Sequence, residues 1–307
     1  MDKSEKRKTL IVVAGPTGIG KTSAGIKLAQ HFNTEIISSD SRQIFKELKI
    51  GTAVPSENEL AAVKHHFIHS HSIHESYNAS RYETEALELL ENLFLKHGTV
   101  LLVGGSMLYI DAVCKGIDIM PDADPEIRKS LKIQLEKEGI ESLRLQLKKL
   151  DQEYYRMVDL KNPNRIVHAL EICLMTGKPY SSFRSNPKKK RSFSILKIGL
   201  NCSRDLLHQR INSRVDKMVE AGLEQEALCV YPLKHLNALN TVGYREWFSF
   251  FDREISREQA IELIRRNSRR YARKQLTWFR NDPEMNWFEP GQVDDIITFI
   301  ENNISKK

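Results

Sequence analysis

The stretch LIVVAGPTGIGKTSAGIKLA, Leu10 to Ala29, decides the fold. Its opening apolar run, β-branched at the centre and ended by Gly15, reads as a buried parallel strand. Gly15-Pro16-Thr17-Gly18-Ile19-Gly20-Lys21-Thr22 then matches the phosphate-loop pattern GxxxxGK[ST], after a strand and before a helix as the motif requires. Its glycines let successive backbone N–H groups turn inward on phosphate oxygens, and the following helix N-terminus adds partial positive charge. Lys21 is placed to neutralise a terminal phosphate, and the Thr22 hydroxyl to ligate Mg²⁺. The turn is built for a diphosphate or triphosphate. Whether the chain spends ATP or grips the phosphates of another molecule is open at this point.

Working outward, EIISSDS (Glu35–Ser41), TVLLVGGS (Thr99–Ser106) and FSILKIGLNC (Phe193–Cys202) read as further strands. SRYETEALELLENLFLKHG has apolar positions at helical spacing, and GTAVP (Gly51–Pro55) reads as a loop after a short helix. Strands alternating with helices predict an α/β fold, a doubly wound parallel sheet of the P-loop NTPase type. Ligands of such sheets sit beyond the carboxyl ends of the strands, where Asp40 and Gly104–Ser106 would flank the phosphate loop. From about Asp118 to Arg191 the chain has no strand-like run and is rich in strong helix formers, so a helical insertion domain is expected there. The division expected is a discontinuous core, 1–117 with 192–307, and an insert, 118–191. The insert closes on four consecutive basic residues, Lys188 to Arg191, read as a mobile solvated loop; the last third of the chain reads as helical.

A chain of 307 residues is long enough for a main domain carrying an insert. Its net charge of +7 and pI near 9.1 suit a polyanionic partner, a weak signal taken alone. No apolar run approaches the ~18 residues of a membrane-spanning helix. The charged N-terminus has no signal-peptide apolar core behind it. Cys114, Cys173, Cys202 and Cys229 are scattered, which suits reduced thiols and a cytoplasmic protein.

No Asp closes the LLVGGS strand, where a P-loop NTPase ordinarily holds its metal, so a hydrolytic motor is not expected. Asp40 is the remaining carboxylate: facing the loop it reads as a metal ligand through water or as a general base, and otherwise as a helix N-cap or turn aspartate. RINSRVDKM (Arg210–Met218) resembles the lid helix of P-loop kinases, with Arg210 and Arg214 one turn apart, closing over phosphates or pairing with nearby acids. RRNSRRYARKQLTWFR carries seven basic residues between Arg265 and Arg280. Arg266, Arg270 and Arg273 share a helical face, while Tyr271, Trp278 and Phe279 anchor others. The histidines of HHFIHSHSIH (His65–His74) lack the spacing and support of a zinc site.

GPTGIGKT, ISSDSRQIFKELKIGTAVP, LLVGGSMLY, RINSRVDKMVEAGLEQE, TVGYREW and RRNSRRYARKQLTWFR occur in the order found in tRNA dimethylallyltransferases, and the chain resembles that family from Leu10 to about Phe288. Plant-type adenylate isopentenyltransferases are relatives, but the insert and the tryptophan-bearing basic helix resemble the tRNA-modifying branch. The resemblance implies transfer of a dimethylallyl group from dimethylallyl diphosphate to N6 of the adenosine on the 3′ side of the anticodon. It implies Mg²⁺, tRNA as partner, no membrane, and a cytoplasmic enzyme, taken here as a monomer. The phosphate loop, Gly15 to Thr22, would hold the diphosphate; Thr17 and Arg245 match positions at the diphosphate and reacting centre; Asp40 would take the N6 proton. Contacts to tRNA are implied for Asp40-Ser41-Arg42-Gln43, for Ser106 (usually Thr in the family), for Arg128, and for Asn164-Arg165-Ile166-Val167-His168, where His168 replaces the common Arg or Lys. Thr241-Val242-Gly243-Tyr244-Arg245-Glu246, Arg270 and Arg273 complete that set. Two rival classes stand beside this one: a small-molecule or nucleotide kinase using ATP on the same loop, and a non-catalytic RNA-binding module.

Overall fold

The computed structural model describes residues 8–118, 120–121, 124–184 and 189–305. Two compact units emerge: one built from the chain up to Lys115 and from Lys190 onward, the other from Gly116–Lys189.

The first unit is organised by six strands: β1 (Thr9–Ala14), β2 (Ile36–Ser39), β3 (His65–His66), β4 (Thr99–Gly104), β5 (Ser194–Leu200) and β6 (Met285–Phe288). All pairings are parallel, in the order β3-β2-β4-β1-β5-β6. β1 is buried along its whole length because both faces are covered. Its odd-numbered Ile11 and Val13 pack with Leu101, Val103, Ile198 and Leu200 on one side; Leu10, Val12 and Ala14 pack with Val100, Leu102 and Tyr82 on the other. That alternation is the period of two expected of a strand covered on both faces.

Among the described residues, thirteen α-helices accompany the sheet and fill the second unit. α1 (Lys21–His31) follows β1, α2 (Glu57–Ala62) precedes β3, α3 (Ala79–Phe94) leads to β4, and α4 (Met107–Lys115) leaves it. The second unit holds α5 (Pro125–Glu138), α6 (Ile140–Leu150), α7 (Gln152–Met157) and α8 (Pro163–Thr176). Its core packs Leu131, Leu143, Leu147, Ile166 and Leu170. After β5 come α9 (Arg204–Glu220), α10 (Leu223–Val230), α11 (Tyr244–Phe251), α12 (Arg257–Arg280) and, after β6, α13 (Val293–Ser305).

Three expectations need correction. The last third is not wholly helical, since β6 pairs with β5 from Lys197↔Met285 to Leu200↔Phe288. Buried Lys197 supports that edge: its ammonium donates to Asp282 at 2.8 Å and Glu284 at 2.6 Å, immediately before the strand. No helix precedes Gly51; the chain from Ser41 to Ala53 runs in successive turns. The basic run does not end as a solvated loop, because Arg191 is buried against Glu83 at 2.8 Å and donates to the Val113 and Ala112 carbonyls. Lys188 lies outside the described residues.

Candidate active site

β1 delivers the chain to Gly15, and the phosphate loop turns back over the end of the sheet into α1. Gly20 caps α1 at φ 102°, a left-handed conformation that a side chain would strain. Lys21 folds back so that its ammonium donates to the Pro16 carbonyl at 2.9 Å. Burial first, and the neighbouring Arg214 guanidinium second, push the Lys21 pKa down to about 8, with the Asp40 carboxylate pulling the other way. Ile19 buries its side chain in the core, so only its main chain is available to a ligand.

β2 ends at Ser39, and Asp40 opens the next turn. Its Oδ1 accepts from the Arg42 amide at 2.9 Å and the Gln43 amide at 3.3 Å. The turn-capping reading of Asp40 is therefore correct for one carboxylate oxygen. Oδ2 makes no hydrogen bond among the described residues, and Asp40 lines both cavities described below.

A cavity of about 800 Å³ opens over the loop, lined by Gly18, Gly20, Lys21, Thr22, Arg210 and Gln275 among others. A second, of about 610 Å³, is lined by Ser41, Arg42, the segment Asn240–Gly243, Arg245, Arg270 and Lys274. The two share Thr17, Asp40, Arg214 and Tyr271. The two cavities, one over the glycine-rich loop and the other a basic mouth, thus adjoin at those four residues.

The lid arginines face the loop rather than acids. Arg214 donates to the Thr17 hydroxyl at 2.8 Å and to the Thr52 carbonyl at 3.4 Å, and Arg210 donates to the Ile19 carbonyl at 3.0 Å. Burial lowers the Arg214 pKa and the Asp40 charge opposes that shift. Tyr271, read from sequence as an anchor, stands at the junction instead. Burial, followed by the Asp40 charge, pushes its phenol up to about 12, so it is a neutral hydroxyl at physiological pH. Gln275, one helical turn on, accepts from the Thr17 amide at 2.9 Å. Sequence spacing puts 271 and 275 on one face of α12; nothing in the sequence says that this face looks into the loop.

Several of the residues expected to contact tRNA are buried or already paired. Tyr244 is fully buried and donates to Glu226 at 2.6 Å. Glu246 is buried, accepting from the Gly243 amide at 2.8 Å and from Asn267 at 2.7 Å. Ser106 is buried and accepts from the Ser41 amide at 2.8 Å, so it stitches the ends of β2 and β4 rather than facing a ligand freely. The Gln43 amide group is committed to the Thr52 and Ala53 carbonyls. Ile166 and Val167 are core residues of α8, while Asn164 and Arg165 are exposed. Arg128 is paired with fully buried Glu171 at 2.6 Å, and His168 stands 3.7 Å from the same carboxylate. Arg245 is exposed on the rim of the basic mouth, and Arg42, half-buried there, donates to the Asn237 carbonyl at 3.2 Å. Arg270 lines that mouth and also a separate basic cleft, whose walls include Arg204, Arg266, Arg273 and Arg280.

A profile of the family described as IPP transferase matches residues 43–282. The chain belongs to the IPP transferase family. A relative named tRNA dimethylallyltransferase 1 from Bacteroides fragilis is 52% identical over 97% of this chain and 99% of its own. Another, tRNA dimethylallyltransferase 2 of Azobacteroides pseudotrichonymphae, is 54% identical over 95% of each. Among solved structures, the tRNA isopentenylpyrophosphate transferase of Bacillus halodurans superposes with a TM-score of 0.73 at 32% identity, covering 98% of both chains. A eukaryotic dimethylallyltransferase, described as acting on tRNA, superposes with a TM-score of 0.76 at 26% identity over 94% of this chain and 75% of that one. The parallel sheet and its phosphate loop are therefore those of an IPP transferase, and no described helix is long and apolar enough to cross a membrane.

Proposed function

We infer that the protein transfers the dimethylallyl group of dimethylallyl diphosphate to N6 of the adenosine on the 3′ side of a tRNA anticodon, releasing diphosphate. The observation that carries this reading is the passage itself: a diphosphate cradle and a basic mouth that meet at Thr17, Asp40, Arg214 and Tyr271. A kinase using ATP is not favoured, since relatives over nearly the whole chain are named tRNA dimethylallyltransferases.

Chemically, the allylic C–O bond breaks and its electron pair leaves with diphosphate. The N6 lone pair forms the new N–C bond, and an N6 proton passes to a base. Lys21, Arg210, Arg214 and the loop amides stabilise negative charge on the departing group. Asp40 Oδ2 takes the N6 proton. The Thr22 hydroxyl beside the cradle is a hard oxygen ligand that fits a Mg²⁺ drawing its other ligands from phosphate and water. When bound, that ion would add positive charge beside the leaving diphosphate.

An adenine stacked in an anticodon loop cannot reach the cradle, so the base is flipped into the mouth between Ser41-Arg42 and Thr241–Gly243. Arg245 and Arg270 hold the backbone around it, Arg273 offers a phosphate contact in the separate basic cleft, and Asn164, Arg165 and His168 of the second unit are further candidate contacts to tRNA. We read the enzyme as a monomer acting in the cytoplasm. Purified protein incubated with dimethylallyl diphosphate, Mg²⁺ and unmodified tRNA should yield N6-dimethylallyladenosine on nuclease digestion. ATP turnover without that product would overturn the reading.

A further inference from the structure

Gln275 lies on α12, 2% exposed, in a helix otherwise crowded with arginine. A buried glutamine needs partners for both ends of its amide, and this one has them on two different segments. Its Oε1 accepts from the Thr17 backbone amide at 2.9 Å, and its Nε2 donates to the Gly105 carbonyl at 2.8 Å. The approach is close: a Cβ at Gly105 would stand 2.4 Å from that nitrogen, so the turn after β4 admits the glutamine only because residue 105 has no side chain.

The bond to Thr17 has a chemical consequence. Amides of a phosphate loop ordinarily point at the anion. Here the Thr17 amide is taken up by Gln275, which leaves Thr17 to act through its side chain. That hydroxyl accepts from Arg214 at 2.8 Å, so its own proton is free to point at an oxygen of the leaving group. The arrangement runs in series, from the Gln275 amide through the Thr17 backbone to the Thr17 hydroxyl and Arg214. Tyr271, one turn earlier on α12, stands at the same junction, and Arg270 and Lys274 line the basic mouth from the same helix. The helix that borders the nucleic-acid side is thereby tied to the phosphate loop through one side chain.

We propose that Gln275 is a positioning residue for group transfer: by holding the Thr17 amide and the Gly105 carbonyl together, it fixes the orientation in which the Thr17 hydroxyl and Arg214 meet the leaving diphosphate. It does not touch the reacting atoms and acts through Thr17. Only a side chain that accepts at one end and donates at the other can replace it, namely glutamine or a protonated glutamic acid.

The inference rests on the transferase reading, so wild-type transfer to tRNA is measured first; its absence would sink that reading and leave Gln275 without a role. Given wild-type activity, Gln275→Met, which keeps volume but neither hydrogen bond, should lower kcat by 10- to 100-fold while the KM for tRNA stays within about threefold. In a Thr17→Ala background, which removes the hydroxyl but keeps the amide, the same substitution should cost less than about threefold. A merely structural glutamine would lose the same factor in both backgrounds, and that result would overturn the proposal. Gln275→Glu gives an independent arm should Gln275→Met fold poorly. Its kcat relative to wild type should climb as pH falls from 8 to 5.5 and the carboxyl regains the proton it donates to Gly105. A ratio that stays flat across that range would count equally against it.

Discussion

The Arg214 guanidinium and the Thr17 hydroxyl, 197 residues apart in sequence, meet at 2.8 Å where the two cavities join. A partly buried cation bonded to a neutral hydroxyl and a carbonyl rather than to a carboxylate is costly, and desolvation lowers the Arg214 pKa. An uncompensated charge is useful where an anion is to arrive. Arg214→Gln is therefore expected to lower kcat/KM for dimethylallyl diphosphate by about 100-fold, in line with the loss of one charge-stabilising donor. The melting temperature should hold or rise, because a partly buried unpaired charge is removed. A steady-state assay with thermal melts checks both halves, and a large drop in melting temperature would contradict the second.

Asp40 divides its labour between two oxygens, and two substitutions separate them. Asp40→Asn keeps an acceptor for the Arg42 and Gln43 amides but no longer takes a proton; activity should fall by about 10²- to 10⁴-fold with tRNA affinity near normal. Asp40→Ala also removes the turn, and should cost a further ~1 kcal/mol of stability by denaturant unfolding. Activity of Asp40→Asn within a few-fold of wild type would remove the base from the mechanism.

The sheet and the cradle were legible because their signals are local. β1, the loop and α1 occupy one unbroken stretch, and apolar alternation in β1 directly states which faces are covered. β6 was not legible. Met285–Phe288 is a four-residue edge strand with only Met285 buried, and it exists because Lys197, from β5, gathers Asp282 and Glu284 beside it. The junction residues show the same limit. Arg214, Tyr271 and Gln275 stand on helices whose spacing names a face, but what that face meets depends on a loop more than 190 residues earlier. The burial of Tyr244, Glu246, Ile166 and Val167 was not legible either, since a motif that is contiguous in sequence alternates between surface and core once folded into a helix.

Lys21 gives a pH signature with opposite signs for folding and for donor binding. Its pKa falls from the ordinary 10.5 to about 8, so between those values the unfolded chain holds more protons and stability rises with pH. The cost of the charged, buried form is fully present below about pH 8 and gone above 10.5. With 10.5 − 8 = 2.5, it amounts to roughly 3 kcal/mol at 1.36 kcal/mol for each pH unit. Lys21→Met should accordingly be more stable than wild type at pH 7, by an amount that shrinks towards pH 10. Donor binding runs the other way: the diphosphate favours protonated Lys21, so the KM for dimethylallyl diphosphate should rise above pH 8. A KM flat from pH 7 to 9.5 would refute the shift.

Arg191 and Glu83 form a buried pair at 2.8 Å, with the guanidinium also closing the carbonyl ends of α4 at Ala112 and Val113. Removing the guanidinium takes away the ion pair and both carbonyl bonds at once. Arg191→Met should destabilise the protein by about 3–5 kcal/mol, and Arg191→Met with Glu83→Gln together by less than the single change. Urea unfolding of the wild type and the two variants tests this; a double variant less stable than the single would refute the pairing.

Glu226 holds the turns beside the mouth. Its two oxygens accept from the amides of Lys49, Ile50 and Gly51 at 3.0, 2.8 and 2.8 Å, and from the Tyr244 hydroxyl at 2.6 Å. Four donors converge on one carboxylate, so replacing an oxygen by an NH₂ group turns at least one bond into a repulsion. Glu226→Gln should cost about 2 kcal/mol of stability, the scale of an unsatisfied buried donor. Gly51 and Thr52 line the mouth, and the Thr52 carbonyl accepts from both Arg214 and Gln43. Loosening this turn should therefore raise the KM for tRNA by several-fold while leaving donor binding in the cradle within about twofold. Equal losses for both substrates would show that the turn supports the whole passage rather than its nucleic-acid side.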